Sequence, residues 1–216
     1  MLTLTTKDNQ QISAFRAGEG NPHGLILLQE IFGINAHIRE TAEHFAAEGY
    51  DVIAPALFDR AEPNVELDYS AESVQRGLDL RAQIPLEQTL LDIDAAIAAL
   101  NGKPTAIIGY CWGGTLTWQA ACKLDGLKAA SSWYPGGIGK AQDLQPRIPV
   151  QVHFGKTDTS IPMAEVTAFQ QAQPEVETFL YDAGHGFGCD QRSAFNPEAY
   201  KLAQERSLAF FAKALA

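Results

Sequence analysis

The sequence predicts an α/β fold, with a mostly parallel central sheet and helices on both of its faces. Short apolar runs typical of strands alternate along the chain with stretches of helical period. Most of these runs are nearly continuous in apolar residues, which is the pattern of parallel strands covered on both sides. No internal repeat or linker divides the 216 residues, so we expect a single domain over 1–216.

The first half of the chain is predicted to open with a hairpin and to continue with alternating strands and helices. Asp8 and Asn9 form a turn between two stretches in which apolar and polar residues alternate. Gly49 ends the first helix, and Pro55 closes the strand that follows. In chain order we expect strands at 2–6, 11–17 and 25–29, a helix at 36–48, a strand at 51–54, a surface loop at 57–69, and helices at 71–83 and 86–100.

The second half continues this alternation and supplies the remaining strands of the parallel sheet. Stretches of helical period again separate the apolar runs. We expect strands at 105–110, 127–134, 150–154 and 176–181, and helices at 114–123, 162–172 and 198–214.

The composition indicates an ordinary globular protein and argues against two classes of partner. The chain has 16 Lys and Arg against 26 Asp and Glu, a net charge of -10, and no basic cluster. We therefore expect that it binds neither nucleic acid nor a membrane. The first residues lack the basic and apolar regions of a secretory signal, and no apolar run approaches about 20 residues. These features predict a cytoplasmic protein, which we expect to be a monomer or a homodimer.

The three cysteines, Cys111, Cys122 and Cys189, are not expected to form disulfides. Their number is odd, and the chain is large enough to fold without such cross-links. Cys122 lies in a predicted helix and is expected to be a small core residue.

The segment around Cys111 has the pattern of a nucleophile elbow, a tight turn that leads from a strand into a helix. Gly109 and Gly113 flank the cysteine, and glycine suits these positions because the backbone is strained and closely packed there. Such a turn places the thiol at the rim of the sheet, near free N–H groups at the start of the helix. The alternative is an ordinary glycine turn around a buried cysteine.

A thiol nucleophile needs a base and an acid that orients the base, and the loops after two later strands offer both. His185 follows the last predicted strand, and Asp158 follows the strand before it. The order Cys111, Asp158, His185 is that of nucleophile, acid and base in α/β-hydrolases. Asp182 and Asp190 are alternatives for the acid, but Asp158 alone follows a separate strand.

Metal binding is the other chemistry that histidines suggest. The remaining four, His23, His37, His44 and His153, show neither the spacing of metal ligands nor a neighbouring cysteine. We therefore expect them to be surface or structural residues and expect no metal site.

A further candidate residue, Glu30, follows the predicted strand at 25–29. This strand delivers Glu30 to the edge of the sheet where Cys111 lies. A carboxylate beside a thiol accepts its proton or, by repulsion, keeps the resting thiol neutral. The backbone N–H of Ile31, with that of Trp112, is a candidate oxyanion hole. The alternative for Glu30 is a solvated loop residue.

Motifs along nearly the whole chain resemble those of the dienelactone hydrolase family. They are the segments 29–36 (QEIFGINA), 39–41 (RET), 49–50 (GY), 109–114 (GYCWGG), 184–187 (GHGF) and 205–211 (ERSLAFF). The resemblance implies an α/β-hydrolase fold, an enol-lactone or related ester as substrate, and no metal or organic cofactor.

The resemblance also implies roles for individual residues. By it, Cys111 is the nucleophile, His185 the base, Asp158 its orienting acid and Glu30 the acid that interacts with the resting thiol, while Ile31 and Trp112 supply the oxyanion N–H groups. In well-known members, arginines hold a substrate carboxylate, and one of them lies four residues after the histidine, a position that is Cys189 here. Candidates for this binding role are Arg76, Arg81 and Arg192, with surface ion pairs as the alternative.

The sequence thus predicts a cysteine-dependent hydrolase of a small lactone or ester, of the carboxymethylenebutenolidase type. Within the fold, the alternative is a carboxylesterase or thioesterase of different substrate range. From another class, the alternative is a non-catalytic scaffold in which Cys111 is a redox-sensing thiol. The presence of Asp158 and His185 argues against the scaffold, because a sensor needs no proton shuttle.

Overall fold

The alternating segments form one eight-stranded sheet and six α-helices in the computed structural model, which describes residues 1–216. The strands are β1 (Leu2–Thr5), β2 (Gln11–Ala17), β3 (His23–Leu28), β4 (Tyr50–Pro55), β5 (Thr105–Tyr110), β6 (Leu127–Trp133), β7 (Val150–Gly155) and β8 (Glu177–Tyr181). The helices are α1 (Ala36–Ala47), α2 (Ala71–Ala82), α3 (Leu86–Ala99), α4 (Trp112–Lys123), α5 (Met163–Ala172) and α6 (Pro197–Leu215). None of these helices has both the length and the apolar composition of a membrane span.

The sheet is mostly parallel, which confirms the predicted fold class. Its strand order is β1-β2-β4-β3-β5-β6-β7-β8, and all neighbouring pairs from β4 to β8 are parallel. The hairpin of β1 and β2 adds antiparallel strands at one edge. All six residues of β5 are buried, as expected for a central strand covered on both faces. The carboxyl ends of β3, β5, β7 and β8 consequently meet at one edge of the sheet.

Buried polar side chains on β6, β7 and β8 pair with one another inside the core. His153 Nδ1 lies 2.8 Å from the Tyr181 hydroxyl, and His153 Nε2 lies 3.2 Å from the Ser131 hydroxyl. Burial lowers the pKa of His153 from 6.5 to about 3, so the ring stays neutral at physiological pH. His153 is therefore a structural histidine.

The segment predicted as a surface loop at 57–69 is partly buried. Its first four residues form a 3₁₀ helix, Leu57–Arg60, in which the two apolar side chains are fully buried. Phe58 stacks on Trp112 with the ring centroids 5.4 Å apart. The prediction was wrong at this point because these two side chains lack any periodic pattern in the sequence, and Phe58 packs against a residue of distant α4.

Candidate active site

Cys111 occupies a strained turn between β5 and α4. Its backbone angles, φ 54° and ψ -113°, lie in a region that residues other than glycine rarely adopt. A Cβ on Gly109 would collide with the carbonyl of Gly113. A Cβ on Gly113 would lie 2.5 Å from the carbonyl oxygens of Leu28 and Gln29. The turn therefore requires both glycines, and it leaves Cys111 partly exposed rather than buried.

His185 and Asp158 complete a hydrogen-bonded series that begins at the thiol. His185 Nε2 lies 3.1 Å from Cys111 Sγ, and His185 Nδ1 lies 2.7 Å from Asp158 Oδ2. The other carboxylate oxygen of Asp158 accepts hydrogen bonds from the backbone N–H groups of Ser160 and Ile161, at 2.7 and 3.1 Å. Asp158 is thus held in place by its own loop, and its position fixes the orientation of the imidazole.

The two alternative acids lie elsewhere. Asp182 is exposed and pairs with Lys156 at 2.9 Å. Asp190 is also exposed, and its Oδ1 lies 3.4 Å from His37 Nδ1. Of the three aspartates considered, Asp158 is the one that contacts His185.

The environment of His185 favours its protonated form. Burial opposes the charge on the imidazole, but the hydrogen bonds and negative charges of Asp158 and Cys111 outweigh burial and raise the pKa of His185 from 6.5 to about 10. A protonated imidazole next to the sulfur stabilises a thiolate. The arrangement therefore suits an ion pair between the His185 imidazolium and a nucleophilic thiolate of Cys111.

Glu30 lies just beyond β3 and is buried, so it is not a solvated loop residue. Its Oε1 accepts a hydrogen bond of 2.9 Å from Arg192 Nη1. The guanidinium of Arg192 also packs near the rings of Phe32 and Tyr69, at 5.7 and 5.8 Å from their centroids. The Glu30 carboxylate therefore pairs with Arg192 rather than with the sulfur of Cys111.

The backbone N–H groups of Ile31 and Trp112 have no acceptor within the protein. Trp112 is the first residue of α4, where an N–H has no partner inside the helix. Both residues line the cavity that Cys111 and His185 also line, which has a volume of about 360 Å³. Two free donors beside a nucleophile are the arrangement that stabilises an oxyanion.

The cavity is rich in positive charge. Arg81, Lys140 and Arg192 all line it, and Arg81 and Lys140 pair with no carboxylate of the protein. Arg76 does not line the cavity, because it is exposed and pairs with Glu62. Two of the three arginines named from the sequence thus lie at this site.

Lys140 is a site residue that sequence reasoning missed. It belongs to a short 3₁₀ helix, Ile138–Ala141, in the loop after β6. Loops after parallel strands meet at one edge of the sheet, so the position of this loop was a usable signal.

Comparison with known proteins decides the family. The sequence profile of the dienelactone hydrolase family matches residues 12–215. The chain belongs to this family. A Synechocystis sp. protein provisionally named carboxymethylenebutenolidase is 37% identical over 223 residues, covering 91% of this chain and 90% of the relative. The carboxymethylenebutenolidase of Pseudomonas putida is 30% identical over 200 residues, covering 87% of this chain and 84% of the relative.

Solved structures give the same assignment for this dienelactone hydrolase family member. A provisionally named dienelactone hydrolase from Klebsiella pneumoniae superposes with a TM-score of 0.84 at 31% identity, covering 98% of this chain and 96% of the other. The resemblance stated from the motifs is confirmed, and with it the α/β-hydrolase fold. The protein is a hydrolase that acts on carboxylic ester bonds.

Proposed function

We propose that the protein is a cysteine-dependent hydrolase of small lactones or esters that carry a carboxylate. The observation that carries this proposal is the hydrogen-bonded series Cys111, His185 and Asp158 at the wall of a cavity of about 360 Å³. A cavity of this size suits a small ligand.

The proposed reaction has two steps that share one oxyanion hole. The Cys111 thiolate attacks the ester carbonyl carbon, and the N–H groups of Ile31 and Trp112 bind the oxygen that becomes negative. The carbon–oxygen ester bond then breaks, and His185 donates its proton to the leaving oxygen. In the second step, His185 takes a proton from water, which attacks the thioester carbonyl. The carbon–sulfur bond breaks, releasing the carboxylic acid and regenerating the thiolate.

The charges around the cavity support an anionic substrate. Arg192 is neutralised by Glu30, but Arg81 and Lys140 have no carboxylate partner in the protein. A substrate carboxylate would supply the missing negative charge. The name of the Pseudomonas putida relative, carboxymethylenebutenolidase, also describes a hydrolase of a lactone that bears a carboxyl group.

Inactivation by iodoacetamide tests the cysteine dependence of this reaction. Cys122 and Cys189 are buried, so Cys111 is the accessible thiol. Turnover of a chromogenic ester should fall in proportion to the fraction of Cys111 that is carbamidomethylated, measured by peptide mass spectrometry. Full turnover by a protein modified at Cys111 would rule out the proposed mechanism.

Replacing Arg81 and Lys140 by alanine tests the substrate charge. For an ester that carries a carboxylate, kcat/KM is expected to fall by roughly tenfold in the double variant, because the charge-assisted contacts are lost. For a neutral ester of similar size, kcat/KM should stay near wild type. Arg76→Ala is the matched control, since Arg76 lies outside the cavity. An equal change in kcat/KM for the charged and the neutral ester would favour the carboxylesterase or thioesterase alternative.

Glu30→Gln is expected to raise the rate of alkylation at Cys111 and to lower the rate of ester turnover. The change removes a negative charge and leaves Arg192 without its partner in the cavity that Cys111 lines. The thiolate is then favoured, so iodoacetamide should alkylate the unliganded protein several-fold faster at neutral pH. Ester turnover should fall, because Arg192 loses the carboxylate that holds it beside the cavity. Glu175→Gln, at an exposed position, is the control. If both rates stay near wild type in Glu30→Gln, Glu30 has no catalytic role.

A further inference from the structure

A second cluster of reactive side chains joins the loop that carries His185 to α1. A ring nitrogen of His37, the sulfur of Cys189 and a carboxylate oxygen of Asp190 all lie within 4.8 Å of one another. His37 comes from the first turn of α1, whereas the other two residues follow β8. The geometry points to a binding site for a thiophilic divalent cation, with Zn²⁺ as the best match.

The state of His37 is an independent observation in favour of a ligand. The residue is only 5% exposed, and its Nε2 is a buried atom without any hydrogen-bond partner. Its Nδ1 lies 3.4 Å from Asp190 Oδ1, which is longer than a normal hydrogen bond. Buried polar atoms are rarely left without a partner, so an imidazole in this state requires an explanation. A cation coordinated through Nε2 would provide one.

The adjoining cavity has the charge and the donor atoms that a cation needs. It has a volume of about 210 Å³, and Glu40 and His44 line it together with His37 and Asp190. No lysine or arginine lines it, in contrast to the cavity at Cys111. The cavity therefore offers further oxygen and nitrogen donors, or room for water, to complete the coordination.

The mixture of donor atoms selects the class of metal. Nitrogen, sulfur and oxygen ligands together suit Zn²⁺, whereas Mg²⁺ and Ca²⁺ prefer oxygen ligands alone. Zinc ligands lie about 2.0–2.3 Å from the metal, so the three atoms need to move only slightly toward a common centre. Asp190 is on the surface and is free to make that movement. On binding, the Cys189 thiol releases its proton to solvent and ligates as the thiolate.

Such a cation would fasten the loop after β8 to α1. The Cys189 N–H donates to the Gly186 carbonyl at 3.0 Å, and the Arg192 N–H donates to the Cys189 carbonyl at 3.1 Å. Cys189 is therefore bonded at both ends to the segment that holds His185 and Arg192. The ligands come from distant parts of the chain, so spacing in the sequence does not reveal this group.

Cobalt titration tests the site without depending on hydrolysis. Full-length protein carrying Cys111→Ala is used, so that the active-site thiol cannot bind the metal. One equivalent of Co²⁺ should produce a thiolate-to-cobalt charge-transfer band, and Zn²⁺ should displace it. Cys189→Ser and His37→Asn should abolish the band. Cys122→Ser and Asp182→Asn, which alter another buried thiol and another aspartate of the same region, should leave it unchanged.

Asp190 is the exposed member of the proposed ligand set, so its variant can be tested even if the Cys189 or His37 variant fails to fold. Asp190→Asn changes a surface side chain and is expected to weaken Co²⁺ affinity by at least about tenfold. The absence of a band at one equivalent of Co²⁺, a band that survives Cys189→Ser, or an unchanged affinity in Asp190→Asn would each overturn the proposal.

Discussion

Replacing Cys111 with alanine is expected to abolish ester hydrolysis while leaving the fold intact. The sulfur is the proposed nucleophile, and its loss should lower kcat by roughly 10⁴- to 10⁶-fold. The turn itself should survive, because alanine is smaller than cysteine and adds no atom to a site shaped by Gly109 and Gly113. Steady-state turnover of a chromogenic ester measures the loss, and thermal unfolding checks the fold.

Cys111→Ser gives a stricter version of the same test. Serine places a hydroxyl near His185, but a hydroxyl has a far higher pKa than a thiol, whose usual value is about 8.5. The variant is therefore expected to be nearly inactive, although its shape is almost that of the wild type. Turnover by the serine variant equal to that of the wild type would show that the thiol is not required.

Asp158→Asn is expected to lower kcat by on the order of 10²- to 10⁴-fold, with a smaller effect on KM. Backbone N–H groups of Ser160 and Ile161 bind one oxygen of the side chain. The asparagine would keep its oxygen there and turn its NH₂ group toward His185 Nδ1. The imidazole would then carry its proton on Nε2, facing Cys111, and could not take a proton from the thiol.

Alkylation kinetics provide a second measurement on this variant. The charge of Asp158 helps to raise the pKa of His185 to about 10, and its loss should lower that pKa. The imidazole would then lose its proton at a lower pH than in the wild type. A neutral imidazole does not stabilise the thiolate of Cys111, so iodoacetamide should react more slowly at neutral pH. Asp182→Asn is the matched control, because that exposed residue pairs with Lys156. A harmless Asp158→Asn together with a damaging Asp182→Asn would move the acid role to Asp182.

The order of strands and helices could be predicted because most strands are short apolar runs bounded by turn residues, and the two hairpin strands alternate apolar and polar residues. That order alone also brings Cys111, Asp158 and His185 together, since parallel strands place the loops at their carboxyl ends along one edge. The structure shows the hydrogen bonds that this topology predicted. Their catalytic roles stay a proposal that the variants above test.

Features that depend on side-chain contacts between distant segments could not be predicted in this way. Glu30 and Arg192 were each named from the sequence, but their pairing joins segments 162 residues apart, and no local pattern predicts it. The burial of Phe58 depends on stacking against Trp112. Arg76 and Arg81 lie on the same helix, and only the direction of each side chain separates an ion pair at the surface from a place in the cavity.

The close contact of Gly113 with the carbonyls of Leu28 and Gln29 has a consequence for how substrate range changes in evolution. This contact is between backbone atoms, and it holds close together the two segments that carry the Ile31 and Trp112 N–H groups. The side chains of these two residues form part of the cavity wall. Substitutions at positions 31 and 112 can therefore reshape the pocket while the donors stay in place. The substrate can thus change between related proteins while the reaction stays the same.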